Sequence, residues 1–153
     1  MPRAYFAYGL NMVVPAMAER CPTARLLGPG LLPAYRILIN RQGLATVVPA
    51  REGRVFGLLW EIAPADERAL DWFEGVERRL YRKRECDVTA KGATCRALLY
   101  EATERRAGAP RPGYLEEIIA AAMACGLPEP YLAELRRLQG ASGSHPAHSQ
   151  GCG

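Results

Sequence analysis

The stretch Arg54 to Ile62 (Arg-Val-Phe-Gly-Leu-Leu-Trp-Glu-Ile) constrains the fold more than any other part of this chain. It is a continuous apolar run containing aromatic and β-branched residues, bounded by turn signals, which is the pattern of a strand. Arg3 to Tyr8, aromatic and apolar, reads as an opening strand that ends at Gly9 and runs into a tight loop, Tyr8-Gly9-Leu10-Asn11-Met12. A short helix follows through Ala16 to Arg20, with Pro15 in its first turn. Gly28-Pro29-Gly30 is read as a turn. Leu31 to Asn40 and Leu44 to Pro49 are the next strands, separated by Arg41-Gln42-Gly43.

After Ile62 the pattern changes. Ala63-Pro64-Ala65-Asp66 starts a helix, with Pro64 in the first turn and Asp66 near the positive end of the dipole. Leu70, Phe73 and Ala69 share a face, and Gly75 is a natural stop. Leu80 to Ala90 and Ala93 to Tyr100 form a hairpin around Lys91-Gly92. Arg105 to Gly113 is a loop. Tyr114 to Cys125 is an amphipathic helix closed by Gly126-Leu127-Pro128. Pro130 to Leu138 is the last helix, with Tyr131, Leu132, Leu135 and Leu138 on one face. This order gives mostly antiparallel β-structure with attached helices, an α+β architecture, in a single domain over residues 1–139.

The bulk properties agree. The chain has 153 residues, 49% hydrophobic and 24% charged, an ordinary globular balance. It has no apolar run of membrane-spanning length, and Met1-Pro2-Arg3-Ala4-Tyr5-Phe6 lacks the apolar stretch of a signal peptide, so a cytoplasmic protein is expected. Five cysteines (Cys21, Cys86, Cys95, Cys125, Cys152) include no C-x-x-C pair, and the first four read as reduced, mostly buried thiols. The net charge of +4 is scattered except in one cluster, Arg78, Arg79, Arg82, Lys83 and Arg84. That cluster could meet phosphate or an anionic substrate, but it reads first as the wet face of a strand. A nucleic-acid partner would call for more cations interleaved with aromatics.

Histidine narrows the chemistry. Both histidines, His145 and His148, fall in the Gly/Ser-rich segment 140–153, which reads as a disordered tail. The body of the chain therefore has no imidazole for a Ser-His-Asp triad, a Cys-His dyad or a histidine-ligated metal. Acid–base work falls to a carboxylate, a tyrosine, a thiol or a lysine. Two places stand out. In Tyr8-Gly9-Leu10-Asn11, a glycine just after a strand lets successive N–H groups point into one concavity, suited to a carboxylate or an oxyanion. In Leu70-Asp71-Trp72-Phe73-Glu74-Gly75-Val76, the Glu74 carboxylate follows two large aromatics at a helix end. Burial and the negative end of the helix dipole should both raise its pKa toward neutrality. By composition alone, Glu74 reads first as an ordinary exposed helix-end glutamate.

Together, Tyr5-Phe6-Ala7-Tyr8-Gly9-Leu10-Asn11-Met12 and Leu70-Asp71-Trp72-Phe73-Glu74-Gly75-Val76, with Tyr81 seven residues after the glutamate, resemble the hallmarks of the γ-glutamyl cyclotransferase family. The resemblance continues through Arg54 to Glu61, Thr94-Cys95-Arg96 and Tyr114 to Leu135, and so covers Arg3 to Leu138. It implies a small, closed, mixed β-barrel with flanking helices and a pocket at its mouth. The implied reaction is attack of a substrate's α-amino nitrogen on its own γ-glutamyl carbonyl, which gives 5-oxoproline and a free amine or amino acid. Glu74 is the implied proton carrier. Tyr8, Gly9, Leu10 and Asn11 are the implied substrate loop, and Tyr81 and Tyr100 are further pocket residues. No cofactor or metal is expected. The expected partner is a small γ-glutamyl molecule rather than nucleic acid or membrane, and the protein is expected as a monomer or homodimer. The chain departs from the family pattern at Leu10, where a serine is usual, and at Arg79, where a glycine often stands. Leu10 leaves room for two alternatives on the same fold, a metabolite-binding protein without turnover and an enzyme for another small amide. A basic RNA- or protein-binding barrel using Arg78 to Arg84 is a third.

Overall fold

The computed structural model describes residues 1–142; His145, His148 and Cys152 of the expected tail lie outside the described residues. Five strands, β1 (Arg3–Ala7), β2 (Arg25–Ile39), β3 (Ala45–Ile62), β4 (Tyr81–Ala90) and β5 (Ala93–Ala102), close into a barrel in the order β1-β3-β2-β4-β5. Every pairing is antiparallel except β1 with β5, where Ala4 lies beside Ala97 and Tyr5 beside Leu98 in parallel. That one parallel seam makes the barrel mixed. The helices are α1 (Val14–Arg20), α2 (Pro64–Glu74), α3 (Tyr114–Ala124) and α4 (Glu129–Ser142), with a 3-10 turn at Leu10–Met12. The expected α+β barrel with flanking helices is the fold observed.

Arg54 to Ile62 is the C-terminal half of β3, paired with β2 along Arg54 to Glu61 and with β1 from Leu58 to Ile62. Val55, Leu58, Leu59, Trp60 and Ile62 are buried, as a strand with neighbours on both sides requires. Phe6, Leu32, Leu70, Leu98, Leu99, Leu115, Ile118 and Leu135 complete a core in which each fully buried side chain contributes about 1.5–3 kcal/mol. Gly57 stands where the backbone of β3 packs against the end of β1: a Cβ there would run into the Ala7 carbonyl and come within 2.9 Å of the Phe6 ring.

The two-residue link Lys91-Gly92 has φ of +52° and +78°, so both central residues take the left-handed backbone that suits a tight hairpin. Two expectations fail. Gly28-Pro29-Gly30 is not a turn but part of β2, paired with Leu59, Leu58 and Gly57 of β3; Gly28, at φ +126°, absorbs a bulge instead of reversing the chain. Leu44 to Pro49 and Arg54 to Ile62 are not separate strands but one strand, β3. There the ladder shifts register between Pro33 and Tyr35, with Ala34 at φ +67°, and bends rather than ends. The last helix also runs past Leu138 to Ser142, into the segment expected as tail.

Candidate functional site

A cavity of about 430 Å³ is walled by the end of β1, the 3-10 turn, the start of β3, the last turn of α2, the start of β4 and the start of α3. All of the residues singled out in the sequence, Tyr8, Gly9, Leu10, Asn11, Glu74, Tyr81 and Tyr100, line it.

Glu74 reaches it because α2 is fixed at both ends. Pro64 begins the helix, and Asp66 Oδ2 accepts from the Ala63 N–H (2.9 Å) and from Thr23 Oγ1 (2.6 Å). Gly75, at φ +70°, ends it: its N–H reaches the Trp72 carbonyl (3.1 Å) and the Val76 N–H reaches that of Asp71 (3.0 Å). Helical spacing then turns Leu70, Phe73 and Glu74 inward and Trp72 outward. Trp72 is 81% exposed, so it does not help bury Glu74 as the sequence suggested. Burial in the tyrosine-rich wall is the main effect on Glu74. It pushes the carboxyl from 4.5 up to about 7, against a smaller downward pull from the Arg20 guanidinium.

Asn11 ties the loop to this carboxyl. Its Nδ2 donates to Tyr5 Oη (2.8 Å) and, more weakly, to Glu74 Oε2 (3.5 Å), while its Oδ1 accepts from Arg20. Arg20 also lies over the Phe73 ring, 3.6 Å from its centroid, so one cation braces the loop and the end of α2 together. Within the 3-10 turn, the first N–H with an acceptor in the turn is that of Met12, on the Gly9 carbonyl (3.0 Å). The Leu10 and Asn11 amides precede it, as at any helix start.

The tyrosines are held by their hydroxyls. Tyr8 Oη donates to the Tyr100 carbonyl (2.5 Å), Tyr81 Oη to the Ala45 carbonyl (2.7 Å) and Tyr100 Oη to Asp71 Oδ1 (2.7 Å). Tyr114 Oη accepts from the Ala45 N–H (2.9 Å), and burial pushes that phenol up to about 12. Burial likewise raises Tyr5, Tyr8, Tyr81 and Tyr100, so this wall is neutral at any working pH. Glu74 is the acid–base group in the cavity that titrates near neutrality.

Sequence reasoning missed Tyr5, Arg20, Arg111 and Tyr114. Tyr5 stood within the opening strand, but Arg20 and the pair Arg111 and Tyr114 lie on other elements and had no local signal. The basic cluster divides. Arg82 pairs with the buried Glu101 (2.9 Å), and Arg84 lies 3.8 Å from the same carboxylate. Lys83 bridges Glu67 (2.5 Å) and Asp71 (3.0 Å), and only Arg78 of the cluster lines the cavity. Arg79 has φ +60°, a left-handed backbone that costs glycine nothing, so the glycine that the resemblance leads one to expect there would fit. Of the thiols, Cys21 and Cys86 are buried, and Cys95 and Cys125 are partly buried. Among the described residues, no cluster of His, Cys, Asp or Glu could hold a metal ion, and no helix is long and apolar enough to cross a membrane.

The AIG2-like family pattern matches residues 54–135 of this chain. Gamma-glutamylcyclotransferase of Homo sapiens is 27% identical over 148 aligned positions, covering 88% of this chain and 78% of that protein. The Bos taurus protein of the same name gives the same identity and coverage. A solved structure of a gamma-glutamyl cyclotransferase superposes with a TM-score of 0.82 at 25% identity, covering 89% of this chain and 87% of that one.

Proposed function

The chain belongs to the AIG2-like family, and on that premise we propose that it is a cytoplasmic γ-glutamyl cyclotransferase, which closes a γ-glutamyl amide into 5-oxoproline and releases an amine or amino acid. The observation that carries this reading is Glu74, a carboxyl facing the cavity whose pKa burial pushes up to about 7. Such a group is part ionised at neutral pH and can both take and give a proton.

In the reaction, ionised Glu74 takes a proton from the substrate's α-ammonium. The freed amine attacks the γ-carbonyl carbon, forming the ring C–N bond and a tetrahedral oxyanion. Glu74 returns the proton to the departing nitrogen as the amide C–N bond breaks. The second proton shed by the ring nitrogen follows the same route and leaves on the amine. Nothing is oxidised or reduced, and no water is consumed.

The rest is orientation. Holding amine and carbonyl within reach fixes a floppy chain in a near-attack geometry; since both groups already belong to one molecule, the gain comes from frozen chain rotations and fixed orientation. The Leu10 and Asn11 amides are suited to the α-carboxylate or the oxyanion, because a backbone N–H serves whatever the side chain. Tyr8, Tyr81 and Tyr100, with hydroxyl protons committed to Tyr100, Ala45 and Asp71, shape the wall rather than carry protons.

Leu10 favours a second reading. An apolar side chain in the loop fits a pocket that acts on another small amide, or binds a metabolite without turnover. Incubation with a panel of γ-glutamyl dipeptides and γ-glutamyl amines, read by mass spectrometry, separates the two. 5-Oxoproline from wild type and not from Glu74→Gln is the expected result. Tight binding without 5-oxoproline from any of them is the result that rejects it.

A further inference from the structure

The cations around the cavity are unequal. Lys83, Arg82 and Arg84 have carboxylate partners in Glu67, Asp71 and Glu101. Arg78 and Arg111 line the cavity itself, yet among the described residues neither forms an ion pair. Nor is either the main counter-ion of Glu74, since the charge that acts on that carboxyl is Arg20.

Both are nonetheless held in place. Arg111 Nε donates to the Gln42 carbonyl (2.8 Å), and its stem fills the space left by Gly43, where a Cβ would stand 2.6 Å from Arg111 Cγ. Its charge is felt at the Tyr81 and Tyr114 hydroxyls inside the cavity. Arg78 folds back over Gly75, the residue after Glu74: its Nη2 lies 2.8 Å from where a Gly75 Cβ would be. The terminal nitrogens of Arg111 and the fork of Arg78 are left without an acid.

With the loop amides given to the α-carboxylate, the reaction proposed above accounts for the glutamyl half of a substrate, its ammonium on Glu74. Two guanidinium groups remain for the other half. Resting on that reading, we propose that Arg78 and Arg111 are specificity-determining residues that select γ-glutamyl compounds with carboxylates on the leaving side, so that diacid leaving groups such as glutamate or aspartate are preferred to monoacids, and monoacids to uncharged amines. Both side chains are exposed, so the preference is screened by salt and is largest at low ionic strength.

The test compares kcat/KM for 5-oxoproline formation from γ-glutamyl-glutamate, γ-glutamyl-alanine and γ-glutamyl-ethylamine at low salt. Each carboxylate removed is expected to cost roughly three- to tenfold. Arg78→Gln and Arg111→Gln should each shrink the diacid-to-amine ratio by about that factor, while Arg111→Lys keeps most of it. Equal values for the three compounds, an unchanged ratio in both Gln variants, or a Lys variant as impaired as Gln would overturn the assignment. Calorimetric binding of the same three compounds is run alongside. If none yields 5-oxoproline, the cyclotransferase reading falls, and the binding order alone decides this inference: the same ranking upholds it and equal affinities reject it.

Discussion

Glu74→Gln should make the protein more stable while it removes turnover, and the gain should depend on pH. The carboxyl moves from 4.5 in an open chain to about 7 in the cavity, so the folded state holds its proton more tightly than the unfolded state. Stability from this group is therefore fully present below about pH 4.5 and is lost as pH rises through about 7. At about 1.4 kcal/mol per tenfold, the ionised carboxylate costs the fold about 3 kcal/mol at pH 8. Its partial exposure discounts this to roughly 1.5–3 kcal/mol. Glutamine keeps the shape and carries no charge to bury. Urea unfolding of both proteins from pH 4 to 8.5 reads the difference directly, because every other titrating group cancels. The two should be equally stable near pH 4, and the variant should lead by roughly 1.5–3 kcal/mol at pH 8, a Tm gain of about 3–12 °C. A difference that stays flat across this range, or a variant less stable at pH 8, would refute the claim that burial raises this carboxyl.

Two further outcomes follow from the same geometry. With ionised Glu74 as the base, kcat/KM should rise with pH and level off above about 7; because Arg20 holds the carboxyl down, Arg20→Met should move that limb to higher pH, which a pH–rate profile of both proteins will show. In the barrel, Gly57→Ala would push a Cβ into the Ala7 carbonyl and the Phe6 ring, with an expected loss of about 1–3 kcal/mol or more in denaturant unfolding.

The sequence was most legible where local chemistry and tertiary structure agree. Pro64 and Gly75 bracket α2 in the sequence as they do in space, and Lys91-Gly92 turns a hairpin because both residues accept positive φ. It was least legible where pairing overrides local signals. Gly28-Pro29-Gly30 carries the composition of a turn, but closing the barrel keeps that stretch paired with β3 through a bulge, and Pro49 and Gly53 sit inside one long strand for the same reason. For the site, the loop and Glu74 were readable as motifs, because each is contiguous. Arg20, Arg111 and Tyr114 were not, since only folding brings the ends of α1 and the 111–114 segment beside them. The raised pKa of Glu74 was expected for a partly wrong reason: Trp72 points to solvent, and the cavity's tyrosines bury the carboxyl instead.

Cyclisation differs from hydrolysis in its nucleophile, and oxygen-18 water tells them apart. A γ-glutamyl dipeptide incubated with the protein in that solvent should yield 5-oxoproline free of the label, together with an equal amount of released amino acid. Free glutamate carrying one labelled oxygen, with no 5-oxoproline, would mean that water attacks the carbonyl and that Glu74 serves a different reaction.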